Sequence, residues 1–150
     1  MIFVSRLIRF GVSPVSGILY SRDILENMLH KWTITKDTIP TFGIFNDGSH
    51  MSEYLELDKI CSKIVKMELD DEGLVVYQEI LETPNGNVLK NLLELDSKAA
   101  SDGGEMMIQV SPNMMGIVEN KVAMDMQLVS VSFGLKTDSL TNTTFDPDNQ

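Results

Sequence analysis

The sequence predicts an α+β domain: a β-rich, antiparallel sheet that closes part of the way into a barrel and carries two amphipathic helices. Three observations lead there. Most apolar stretches alternate, or run as short β-branched segments bounded by Gly, Pro, Asn and Asp. Two stretches instead repeat their apolar residues at helical spacing and begin at a capping residue. No internal repeat or linker composition divides the 150 residues, a length that suits one domain.

The elements follow in order. "IFVSRLIRF" (2–10) reads as a first strand, because Arg6 and Arg9 break the apolar run that a signal peptide would need. "GVSPVSG" (11–17) is punctuated like a turn. In "SRDILENMLHKW", Ser21 caps a helix over about 22–32 whose Ile24, Leu25, Met28, Leu29 and Trp32 share a face. Strands return with "PTFGIF" and continue through "YLELDKICSKIVKMELD"; "GLVVYQEIL" then pairs back on it as an antiparallel hairpin. The connection holds Asp70, Asp71 and Glu72, which lack the spaced ligands and glycine of a calcium loop and read as a solvated turn. "TPNGNVLKNLLE" is a second helix, with Thr83 as cap, Pro84 in its first position, and Val88, Leu89, Leu92 and Leu93 turned to the core. After a Ser/Asp/Gly loop at 97–104, "EMMIQV", "GIVENKVAMDMQL" and "VSVSFGL" are all strand-like. The domain spans 1–136, and 137–150 form a polar tail, either disordered or held by a partner. Ten methionines, four of them in "EMMIQVSPNMM", fit an adaptable binding surface or, more commonly, gap-filling in the core.

Composition excludes several functions. A net charge of −10 opposes direct binding to nucleic acid, since neutralising phosphates takes clustered Lys and Arg. Residues 1–40 hold five Lys/Arg against three Asp/Glu, so this end is locally basic, fit for a solvated face or for docking on an acidic surface. No apolar run reaches the roughly 20 residues of a membrane span. Cys61 is the one cysteine; it forms no intrachain disulfide, makes an intracellular origin the default, and is expected in the core. There is no P-loop or dinucleotide fingerprint, and His30, His50 and Cys61 make no usual zinc set, so neither cofactor nor metal is expected.

What chemistry remains is nucleophilic and needs a Ser or Cys beside an oriented base. Ser111, in "IQVSPNMMG" just after a strand, is the candidate, although most strand-end serines only cap or turn.

Five segments stand in a recognisable order: "YSRDILENML" (20–29), "GIFNDG" (43–48), "EILETPNGNVLKNLLE" (79–94), "QVSPNMMG" (109–116) and "LVSVSFGL" (128–135). Over about residues 17–136 the chain resembles the T4-type prohead (capsid maturation) serine protease family of tailed phages, which is related in fold to herpesvirus assemblin. The family's corresponding segments read "YPxxxLExA", "GELNHP", "ILDTPxGxxLxxLL", "GVSSRGxG" and "VxxDxV". "ILETPNG" before an amphipathic helix is the most specific match. The resemblance implies that Ser111 holds the nucleophile position, with Gly116 retained. It puts the family's catalytic histidine on Asp47, its Ser-Arg on Pro112 and Asn113, and its late acidic residue on Ser132. A carboxylate titrating near 4 is a far weaker base at neutral pH than an imidazole.

The expectation that follows is a non-enzymatic phage capsid component. It would be an auxiliary or decoration protein with a degenerate prohead-protease-like fold, made in the bacterial cytoplasm and carried in the virion. Its partner would be the major capsid protein, met through exposed strand edges or the tail. The first alternative is an active prohead serine endopeptidase with Ser111 as nucleophile and His50, or else His30, as base, which would cleave scaffold and capsid protein. The second is an assembly chaperone or core protein of the prohead.

Overall fold

The structure is a computed structural model that describes residues 1–14, 16–45, 59–103 and 108–135. Eight strands form one sheet: β1 (Ile2–Arg9), β2 (Gly11–Val12), β3 (Leu19–Tyr20), β4 (Phe42–Phe45), β5 (Ile60–Leu69), β6 (Gly73–Ile80), β7 (Ile108–Glu119) and β8 (Val122–Leu135). Helix α1 (Arg22–Thr35) follows β3, and α2 (Pro84–Ser101) joins β6 to β7. The strand order is β1-β6-β5-β4-β8-β3-β2, with β7 on the other edge of β8. The sheet curls into a nearly closed barrel: β1, at one end of the order, comes close to β7 beyond β8, and Phe3 of β1 packs edge-on against Phe133 of β8, centroids 5.8 Å apart. Pairing is antiparallel except where β8 runs parallel to β3 and to β4.

Local chemistry sets both helix starts as the sequence predicts. The Ser21 hydroxyl accepts from the Ile24 N–H at 3.3 Å, and α1 buries Leu25, Met28 and Trp32. The Thr83 hydroxyl accepts from the Gly86 N–H at 3.0 Å while donating to the Ile60 carbonyl at 2.9 Å, which moors the helix start to β5. Two details of α2 differ from expectation. Val88 is 50% exposed, because Leu89, Leu93 and Asp96 form the inward stripe and Leu92 is only half-buried. The helix also runs to Ser101, through much of the stretch read as a loop, since Lys98, Ala99 and Ala100 are good helix formers and no Gly or Pro stops it before Gly103. The buried Asp96 at its inner face accepts from the Ile108 N–H at 2.7 Å, tying α2 to the start of β7.

The β5–β6 hairpin forms as predicted, but its acidic turn is more than solvated. Asp70 accepts from the Glu72 and Gly73 N–H groups at 2.8 and 2.9 Å. Register places Arg9 opposite Gly73, so Arg6 meets Asp70 and Arg9 donates to Glu72 at 2.7 Å. The Arg6 guanidinium holds the Asp70 carboxyl far below the usual carboxylate range. The basic first strand is thus partnered within the molecule.

The last three strand-like segments fuse into two long strands. The predicted segment "GIVENKVAMDMQL" is cut by a turn at Asn120–Lys121, both at positive φ (52° and 61°), which separates β7 from β8. Ser111 lies inside β7 and not after a strand.

The core gathers Leu25, Leu74, Val76, Leu89, Val131 and Phe133, each fully enclosed, with Cys61 among them as expected. The methionines divide: Met28, Met67 and Met126 are buried, whereas Met115 and Met124 are at least half exposed. Cys61 donates to the Gly43 carbonyl at 3.5 Å, and burial pushes its thiol up to about 12. The folded chain therefore keeps a proton that the unfolded chain releases near 8.5. That stabilisation is whole below about pH 8.5 and is lost as pH climbs toward 12. Cys61→Ala is expected to flatten the decline in urea midpoint between about pH 9 and 11; an unchanged slope would show that the thiol keeps no such proton.

Candidate functional site

Neighbouring strands bring two of the sequence-predicted positions, Ser111 and Ser132, side by side. Ser132 on β8 pairs with Ile44 of β4 on one side and with Ser111 of β7 on the other. Strands stand about 4.8 Å apart, so Ile44 and Ser111 are about 10 Å from each other across β8. Cross-strand partners share a face, which assembles Ser111, Asn113, Ser130 and Ser132 into one polar patch. The Asn113 amide donates to Ser130 Oγ at 2.9 Å and to Ser132 Oγ at 2.8 Å. Ser130 and Ser132 are buried, whereas Ser111 is exposed.

The electrostatics of this patch are neutral. Among the described residues no histidine or carboxylate hydrogen-bonds Ser111, and the position opposite it is a hydroxyl. His30 sits on α1 beside Lys31, whose ammonium pairs with Asp125 and also donates to the Met126 carbonyl at 3.3 Å. That anchors this turn of α1 seven residues along β8 from Ser132, about 23 Å of strand, which separates His30 from Ser111. Asp47 and His50 lie outside the described residues, as does the tail 137–150. β4 carries the first three residues of "GIFNDG" along β8: Ile44 pairs with Ser132, and Phe45, the last residue of β4, with Phe133.

Beside Gly43 of β4 the otherwise apolar interior holds a buried polar pair. The Ser62 hydroxyl donates to Gln78 Oε1 at 2.8 Å, both residues fully buried. Gly43 lets β4 pass over them, since a Cβ there would stand 1.9 Å from Ser62 Oγ.

Sequence reasoning placed Ser111 and Ser132 but gave Asn113 no role beyond a departure from the family pattern. The signal was the period of two, which sets positions 111 and 113 on one face of a strand. Among the described residues no group of three His, Cys, Asp or Glu converges as a metal site. Nor is any described helix long and apolar enough to cross a membrane.

No family model matches the sequence, and no curated protein matches it. Among solved structures, the capsid assembly protease gp21 of bacteriophage T4 superposes with a TM-score of 0.61 at 11% identity, covering 91% of this chain and 82% of gp21. The likeness thus extends over most of both chains. The fold built by these strands and helices is prohead-protease-like.

Proposed function

We propose that this chain is a non-enzymatic head protein of a tailed phage: an auxiliary or decoration protein that keeps a prohead-protease-like fold and binds the major capsid protein. One observation carries the reading. The group facing the nucleophile position Ser111 is Ser132, and its hydroxyl is engaged by the Asn113 amide, so among the described residues the patch offers neither charge nor base to activate a serine. A serine without its base is a poor nucleophile, because catalytic groups that act as a unit lose nearly all their effect together. Copy number tests the proposal: quantitative mass spectrometry of purified virions should find this chain intact and in fixed ratio to the major capsid protein. Near absence from mature particles, or recovery as fragments only, would turn the assignment to an assembly factor.

A second reading is favoured by the course of β4. Its last residue, Phe45, pairs with Phe133 next to Ser132, and Asp47 and His50 follow Phe45 within five residues of sequence, His50 being of the type that a serine endopeptidase needs as base. A serine-reactive phosphonate separates the two readings. Labelling that vanishes in Ser111→Ala, together with cleavage of capsid precursor, establishes the protease; no labelling at any pH between about 6 and 9 supports the structural protein.

A further inference from the structure

β7 is an edge strand without the usual protection. Among the described residues it pairs with β8 alone, and from Ile108 to Val118 it carries no charged side chain. Natural edges of this length are blunted by lysines, prolines or an overlying element, because a row of free N–H and C=O groups recruits other strands. Pro112 guards only the half that lies opposite Val131, close to where Phe3 of β1 reaches Phe133. The other half, Met114–Glu119, is open: Met115 is 66% exposed, Ile117 54% and Val118 41%. Beside it an open groove of about 320 Å³ runs over β8, with Met115 and Ile117 on one wall, Lys31 on the other, and Asp125 and Gln127 among its lining.

We propose that the Met114–Glu119 edge of β7, with this groove, docks an extended segment of the partner protein by strand addition. The proposal deepens the head-protein reading above and rests on it. The occupant is a strand, since only another strand matches a strand edge group for group, and alternate side chains of an added strand fall on the face that carries Met115 and Ile117, at the rim of the groove. Its side chains are apolar and basic. Met115 and Ile117 offer an adaptable apolar wall, and the net charge of −10 favours a segment that carries Lys or Arg, while Asp125 itself stays paired with Lys31. The same charge repels a second copy of the chain. Ser111 has no part in this contact, so docking needs no catalysis.

The test uses the full chain and shells assembled from the major capsid protein of the encoding phage alone. The intact chain is expected to cosediment with the shells, and the amides of Met114–Glu119 to gain at least tenfold protection from hydrogen exchange on binding. Ile117→Lys should weaken binding at least tenfold at an unchanged thermal midpoint. Met115→Lys, at a more exposed position, repeats the test should Ile117→Lys lower that midpoint. Full binding by both variants without protection of β7 overturns the docking site and leaves the head-protein reading standing. No binding by the intact chain overturns both. Self-association that Ile117→Lys abolishes would make the occupant a second copy and overturn the proposal as stated.

Discussion

Phe133→Ala is expected to lower the unfolding free energy by about 3–5 kcal/mol, among the largest single losses this chain can show. The ring is fully buried and meets Phe3 edge to face at 62°, the contact that brings β1 across to β8. Its strand neighbours are Phe45 on β4 and Val110 on β7, so the cavity would open where the three strands that carry the candidate site come together. Rigid ladders on both sides prevent collapse into the space, which puts the cost at the upper end for large-to-small changes. Urea unfolding of the variant checks the number; a loss below about 1 kcal/mol would mean that the barrel seam repacks freely.

Gly43→Ala should cost nearly as much for the opposite reason. The added methyl would stand 1.9 Å from Ser62 Oγ, 2.9 Å from the Phe133 ring and 3.0 Å from Gln78 Oε1. Overpacking a filled core typically costs about 1–3 kcal/mol, and here the nearest atom belongs to a short side chain in a buried hydrogen bond, so the upper part of that range or more is expected. The pair should be coupled. Ser62→Ala in the Gly43→Ala background removes the closest clash and should recover at least about 1 kcal/mol relative to additivity. Purely additive losses would place the strain elsewhere.

What could be read from the sequence was what local chemistry decides. Ser21 and Thr83 announce their helices because a capping hydroxyl acts within three residues. The end of α2 was invisible, because Ser97 to Ser101 contains neither a breaker nor a strong helix stop. The Asn120–Lys121 turn escaped because lysine is no marker of positive φ, whereas Asn-Gly at the same place would have announced a hairpin. The parallel pairing of β4 with β8 joins residues nearly ninety apart and leaves no local trace. For the same reason Ser132 emerged only through resemblance to a family and Ser111 only as a lone strand serine, while Asn113, whose amide links Ser132 to Ser130, did not emerge as part of the site. Asp47 and His50, the residues on which the base depends, lie outside the described residues.

The parallel contact between β4 and β8 also bears on how the chain is made. α1 packs mainly against β8, and β4 is held on one side by the same late strand. During synthesis these early elements must therefore wait for residues 122–135, on the order of ninety residues after Trp32. At about 5–20 residues per second the interval is roughly 5–20 s. Through that interval Leu25, Met28 and Trp32 lack the strand that later covers them. The nascent chain thus passes through a window in which a ribosome-bound chaperone has exposed apolar surface to hold, and premature release before β8 emerges would leave a half-built barrel.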